Sequence, residues 1–360
     1  MKKTKMLAAL TAMVLGLVFV SCPSPNNGVN PSPANPENPN SGTSNPENSG
    51  STSGWTRVAN GIKVNNELLL YTGEVNVIEA SVDVTRVGDN GAFRTGTGLT
   101  SPVTISPYAI GKYEVTQELY SKVMENQTVT VGGNTINLVQ NPSLCTEGST
   151  ACALPPATVG TQKYRPVDNV TWFDAVYFCN VLSEKMGLEK AYTIEEIVMG
   201  TGDNATHIVG ATVTVRQGKK GYRIPTDEEW EFAARGGDPA SSSWNYMYSG
   251  SDDINAVGWY QCNNTNPESV DSTDLTNNSN NYSACGSHQV GQKNPNSKGI
   301  YDMTGNVWEW CHGETSSGAK ADKGGSWAVS AANSTVTNHS SGMSGHERNS
   351  STGIRLVRSL

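Results

Sequence analysis

Charge is scarce in this chain. Only 16% of the 360 residues are Asp, Glu, Lys or Arg, against about 25% in a typical soluble domain. Bases are the scarcer sign, 25 against 33 acids, for a formal net charge of −8. That balance excludes the basic face of a nucleic-acid-coating protein. Histidine is also rare, and the five that occur, at positions 207, 288, 312, 339 and 346, lack metal-ligand spacing. There is no CxxC, HExxH, Gly-x-Ser-x-Gly or Gly-rich phosphate loop, so the usual zinc, hydrolase and nucleotide signatures are missing. Long apolar runs are missing beyond residue 20, so no later stretch reads as a membrane span. In place of charge the chain has Asn, Ser, Thr and 37 glycines. The apolar fraction is still sufficient for a core.

The beginning of the chain sets the compartment. Lys2, Lys3 and Lys5 precede a short apolar run at 6–20, the pattern of an export signal. The run ends Val18-Phe19-Val20-Ser21-Cys22, which resembles a bacterial lipobox and implies cleavage before Cys22 and lipidation of that cysteine. The expected organisation is a signal peptide at 1–21, a Pro/Asn/Ser-rich tether at 22–54 and one domain at 55–360. The tether composition cannot bury enough apolar surface to order itself, and it spans roughly 30 Å on random-coil scaling. The expected location is the cell surface, on the bacterial outer membrane, with the lipid as the only membrane contact.

Seven cysteines include Cys22, which leaves six in an oxidising compartment. Cys145 with Cys152 and Cys262 with Cys285 are the local pairs that the spacing suggests. Cys179 and Cys311 sit in apolar settings and are as readily free buried thiols.

Within the domain, segments 75–84 and 102–110 alternate like strands. Three segments carry helix signals. One spans 116–124. One starts at Thr171, where Thr171 and Asp174 fit a capping box, and one at Thr226 with Glu229 and stops at Gly236-Gly237. Few helices, scattered strands and long loops predict an α+β domain.

A series of motifs then becomes specific. Ile110-Gly111-Lys112-Tyr113-Glu114-Val115-Thr116 is followed by Arg165-Pro166-Val167 and Val170-Thr171-Trp172. Next come Gly221-Tyr222-Arg223-Ile224-Pro225-Thr226, Glu229-Trp230-Glu231 and Ala233-Ala234-Arg235-Gly236-Gly237. Tyr301-Asp302-Met303-Thr304-Gly305-Asn306-Val307-Trp308-Glu309-Trp310, Gly324-Gly325-Ser326-Trp327 and Gly353-Ile354-Arg355-Leu356-Val357 complete the order. This order resembles the formylglycine-generating-enzyme (sulfatase-modifying factor) family, and implies a C-type-lectin-like fold of the α+β class. Trp172, Trp230, Trp308, Trp310 and Trp327 each bring a large area to bury and an N–H to satisfy. Arg223, Arg235 and Arg355 are expected as buried partners of motif carboxylates such as Glu231.

The oxidases of this family act through two cysteines that bind copper. Position by position these fall on Val329 and Ser334, neither of which supplies a thiolate. The resemblance therefore implies no catalysis and no required cofactor. A structural calcium is implied at Asp302, Gly305, Val307 and Glu309, whose oxygen donors suit that ion. The competing reading pairs Glu309 with a buried arginine and has Asp302 cap a turn.

Residues 326–352 are small, polar and almost uncharged. The chain resembles those spirochaetal lipoproteins of the family whose last coding segment is rewritten by a diversity-generating retroelement. Adenine-directed mutagenesis of an AAC-type codon yields Asn, Ser, Thr, Gly, His, Ala or Val, among others, and never Lys, Gln, Glu, Met or Trp. The template-type positions are Ala328, Val329, Ser330, Ala332, Asn333, Ser340, Ser341, Gly342, Ser344, Gly345, His346, Asn349, Ser350 and Ser351. Met343 and Glu347 fall outside that alphabet, so they are fixed or the register shifts by one there. Trp327, itself better suited to a core, and His312 border the segment. The function implied is recognition of a variable ligand, a protein or cell-surface molecule, by a monomer without nucleic acid. The alternatives are an atypical formylglycine-generating oxidase and a structural envelope lipoprotein.

Overall fold

Three threonines start the three longer helices. The computed structural model describes residues 54–58, 61–64, 67–70, 74–78, 82–84, 103–147, 149, 161–261, 263, 286–314, 318–340 and 342–360. The signal peptide with Cys22 and nearly all of the tether lie outside the described residues, as do Cys152, Cys262, Cys285 and Ser341. Thr116 caps α1 (Gln117–Met124) by accepting from Leu119 N–H. Thr171 caps α2 (Trp172–Lys185) with a complete capping box through Asp174. Thr226 caps α3 (Asp227–Ala234) in the same way through Glu229. Each cap satisfies helix N–H groups that have no partner within the helix. A fourth helix, α4, is a single turn at Ile254–Val257.

The strands are short. In chain order they are β1 (Trp55–Val58), β2 (Gly61–Val64), β3 (Glu67–Leu70), β4 (Glu74–Ile78), β5 (Val82–Val84), β6 (Val103–Ile105) and β7 (Tyr108–Gly111). There follow β8 (Thr128–Val131), β9 (Asn134–Asn137), β10 (Tyr192–Met199), β11 (Ile208–Val215) and β12 (Tyr222–Arg223). The last are β13 (Trp308–Glu314), β14 (Lys320–Lys323), β15 (Thr352–Gly353) and β16 (Val357–Ser359). The largest sheet has the order β12-β16-β7-β4, and β14-β13-β15 forms a second with β13 and β15 parallel. The segments expected as strands at 75–84 and 102–110 split into β4 with β5 and β6 with β7. This is the α+β, helix-poor architecture that the sequence predicts.

Two apolar clusters fill the interior. One joins α1 and α2 through Leu119, Tyr120, Val123, Trp172, Val176, Phe178 and Trp310. The other packs α3 through Trp230, Phe232 and Ala233 against Ile110, Met303, Cys311 and Val357. Cys179 and Cys311 are free and buried, and burial pushes both thiols far above their usual range. Cys145 is disulfide-bonded, to a cysteine outside the described residues.

Three buried aspartates give the domain a pH dependence. Burial raises Asp168 from its ordinary value of 3.8 to about 7, and Asp302 and Asp322 to about 6. Between about pH 4 and 7 these three carboxyls hold protons in the folded chain that they have released in the unfolded one; His312, lowered from 6.5 to about 4 by burial, opposes them in part. Stability falls as pH rises through that window. Urea unfolding should show a domain less stable at pH 8 than at pH 5, by a few kcal/mol (order of magnitude). Asp168→Asn should flatten that slope.

Candidate functional site

The segment 326–352 divides by burial. Ser326, Trp327, Ser334, Val336 and Thr352 are buried, while every described template-type position is half-buried or exposed. Trp327 donates its indole N–H to the Ser350 carbonyl at 3.1 Å and packs on Val307 and Cys145. It is an anchor, not a contact surface. Met343, one of the two residues outside the expected alphabet, packs against the first core cluster, and its carbonyl accepts from Lys320 N–H. Glu347 is exposed and caps its own turn by accepting from Ser344 N–H at 2.8 Å.

Arg348 latches the segment to the body. Its Nε donates to Asn204 Oδ1 at 2.8 Å, Nη1 to Asn169 Oδ1 at 2.6 Å and Nη2 to the Asp203 carbonyl at 3.2 Å. Asn169 N–H in turn donates to the Asn349 carbonyl. Arg348→Ala should cost about 1.5–3 kcal/mol in urea unfolding. Asn333→Ala and His346→Ala, both at exposed positions, should stay within about 0.5 kcal/mol.

The template-type positions form two lobes. Ala328, Val329, Ser330, Ala332 and Asn333 lie beside α4 and residues 259–261. There Gln261 N–H donates to the Val329 carbonyl and Ala331 packs on the Tyr248–Tyr260 cluster. Ser340, Gly342, Ser344, Gly345, His346, Asn349, Ser350 and Ser351 lie along the edge of β14 and the first turn of α2. Lys320 pairs with Met343, Lys323 with His339, and Trp172 N–H donates to the Gly345 carbonyl. The indole of Trp327, reaching Ser350, joins the lobes.

Some of these positions have internal roles that the sequence does not reveal. Ser340 Oγ donates to Asp322 Oδ1, whose carboxylate is buried and whose Oδ2 has no hydrogen-bond partner. Asn349 Oδ1 accepts from Ser351 N–H and Oγ and from Thr352 Oγ1. Gly342 has φ +85°, which side chains rarely adopt.

Beneath the lobes lies a buried ionic frame. Arg223 pairs with Glu229 and Arg235 with Glu231, as the motifs suggest. Lys323, fully buried, reaches Glu231 at 3.4 Å and the Thr337 carbonyl at 3.3 Å. Arg355 grips Glu309 through Nε and Nη2 at 2.6–2.9 Å and also donates to the Gly111 and Tyr301 carbonyls. Glu309 Oε2 accepts in addition from Trp230 Nε1 at 2.5 Å.

The donor set expected for calcium does not fit. Both Glu309 oxygens are held by the arginine and the indole, so the guanidinium is already the cation of that site. Asp302 Oδ2 caps a turn by accepting from Gly291 N–H at 2.6 Å. Asp302 Oδ1 is buried without a hydrogen-bond partner, the one carboxylate oxygen of the expected set that is not already engaged. Val307 N–H and the Asn306 amide hold Glu114. Gly305 has φ +75°, and a Cβ there would lie 2.1 Å from the Trp259 carbonyl oxygen, so only glycine fits this turn.

At the positions matching the family's catalytic cysteines, Val329 is half-buried and Ser334 is fully buried. Ser334 Oγ donates to the Ser330 carbonyl at 3.3 Å. A polar cleft of about 380 Å³ lies elsewhere, between α1 and the loops carrying Asn141, Glu147 and Lys163.

Residues 63–360 match the sulfatase-modifying factor enzyme 1-like domain. A protein of Paenibacillus barcinonensis named chaperone protein LppX is 35% identical over 280 residues, covering 75% of this chain and 88% of that protein. Among solved structures, Treponema denticola variable protein 1 aligns with a TM-score of 0.53 at 30% identity, over 80% of this chain and 95% of its own. CarF aligns with a TM-score of 0.55 at 26% identity, over 80% and 98%. The ordered motifs, the fold and these matches agree: the chain belongs to the sulfatase-modifying factor enzyme 1-like domain family.

Proposed function

We propose that this is a non-catalytic ligand-binding lipoprotein, anchored through Cys22 at the cell surface, whose C-terminal segment is diversified by a retroelement. The burial pattern of residues 326–352 carries the reading. Ser326, Trp327, Ser334, Val336 and Thr352, which hold the segment, are buried, while no described template-type position is fully buried and Ala332, Asn333 and His346 are exposed. Such a rigid frame limits the ordering cost of binding while exchanged side chains change the partner. The likeness to Treponema denticola variable protein 1 supports it. The name of the Paenibacillus relative, a chaperone, is compatible with non-covalent recognition of a protein partner.

Oxidase chemistry of the family's kind needs a nucleophilic, copper-binding thiolate. Val329 and Ser334 supply none, and the free thiols Cys179 and Cys311 are buried. A cysteine-containing sulfatase peptide incubated with the full chain and copper should remain unmodified; turnover would overturn the non-catalytic reading. The coding region should also have a nearby copy of its 3′ segment that differs mainly at adenines. Without such a copy, diversification fails as an explanation.

A further inference from the structure

One side chain outside the variable segment lies against a template-type position. Phe173 is the second residue of α2 and is half-buried. Its ring stands edge-on to Trp172, 5.4 Å between centroids at 87°. The bond from Trp172 N–H to the Gly345 carbonyl, 3.0 Å, lays residue 345 across this first helical turn. A Cβ at Gly345 would sit 3.1 Å from Phe173 Cε2 and 3.3 Å from Lys320 Cγ. Gly345 does not have positive φ, so its backbone accepts any residue, and only those two side chains restrict what fits.

Of the two, Lys320 is the more firmly held. Its Nζ is 2.7 Å from Glu314 and 4.4 Å from the Trp172 ring centre, and its backbone N–H is bonded to Met343. Phe173 is held only by packing against Trp172 and the first core cluster, so its ring edge is what gives way when residue 345 grows. On its other side, Trp172 meets His312 at 5.5 Å. Burial and Lys320 lower His312 to about 4, so this ring is uncharged at neutral pH. Phe173 thus presents a neutral aromatic edge beside Gly345, with the buried Trp172 and the uncharged His312 ring behind it.

We propose that Phe173 is a specificity-determining residue of the binding surface, a fixed aromatic contact whose ring position is set by the residue at 345. It favours ligands that present an apolar or planar group. This rests on the ligand-binding reading above. With glycine at 345 the Cε2–Cζ edge of the ring faces the segment, and a larger residue there displaces that edge by a few tenths of an ångström or more. One exchanged position thereby moves a contact that mutagenesis of the segment never touches.

The test has two parts. In the full chain with labelled phenylalanine, Gly345→Asn should shift the Phe173 ring resonances, while Ala332→Asn should leave them unchanged. An unmoved ring in Gly345→Asn overturns the coupling. Next, the full chain is displayed on cells with Ala332, Asn333, Ser344, His346 and Asn349 randomised, and selected against hen lysozyme as the probe protein. Phe173→Ala and the space-filling Phe173→Leu should weaken the selected binders about tenfold or more, about 1.4 kcal/mol. Phe173→Tyr should stay within about threefold (~0.7 kcal/mol). Binders that tolerate Phe173→Leu overturn this inference and leave the ligand-binding reading standing. If the folded library yields no binders, both fail.

Discussion

Arg355→Met is expected to destabilise the domain by about 3–5 kcal/mol, the usual cost of removing one partner of a buried ion pair. Arg355 and Glu309 are both fully buried. Methionine fills similar space but leaves the Glu309 carboxylate with only the Trp230 N–H as a donor. It also removes the donors to the Gly111 and Tyr301 carbonyls. The Arg355 contacts join β7, Tyr301 and β13 to the segment between β15 and β16, so the loss should appear as one cooperative shift in urea unfolding. The double variant Arg355→Met with Glu309→Met should recover much of it, because no charge is left buried. A single-variant loss below about 1 kcal/mol would mean that Glu309 finds other partners, and would reopen a cation at that site.

Asp174→Ala is expected to cost about 4 kcal/mol by a different route. One carboxylate accepts from Thr171 N–H, from Ile208 N–H at 2.9 Å and from His207 Nδ1 at 2.6 Å. All of these groups are buried. Each buried donor left without its acceptor costs roughly 1–3 kcal/mol, and the sum is reduced by local relaxation. Asp174 ties the start of α2 to β11, and the start of α2 bonds Gly345. Hydrogen exchange should therefore show faster exchange of the Trp172 N–H that bonds the Gly345 carbonyl and of amides in the hairpin. A change confined to the helix cap would not produce the latter.

How much of this was legible depended on whether the decisive partner was near in sequence. The starts of α2 and α3 were legible because Thr171 with Asp174 and Thr226 with Glu229 lie three residues apart, within one turn. The hairpin of β10 and β11 was not. Glu195 and Glu196 interrupt its alternation, and the pairing register shifts after Glu195. The family motifs bracket residues 326–352, and Met343, outside the expected alphabet there, packs half-buried against the first core cluster. Glu309 shows the limit. A calcium ligand and an arginine partner look identical in the motif, and Arg355, 46 residues on, decides between them. Nothing in sequence ties Phe173 to residue 345 or Ser340 to Asp322, because those contacts exist only once α2 and β14 have assembled.

The place of β16 has a consequence for the order in which the molecule can be made. This strand lies between β12 and β7 in the largest sheet, and β15 lies beside β13, yet each follows the other strands of its sheet in the chain. Neither sheet can close until residues 352–359 have been made and, in an exported chain, have crossed the membrane. In the exported chain proposed above, folding is then completed after translocation. The template-type positions, which lie between β14 and β15 in the chain, are in place when the frame closes.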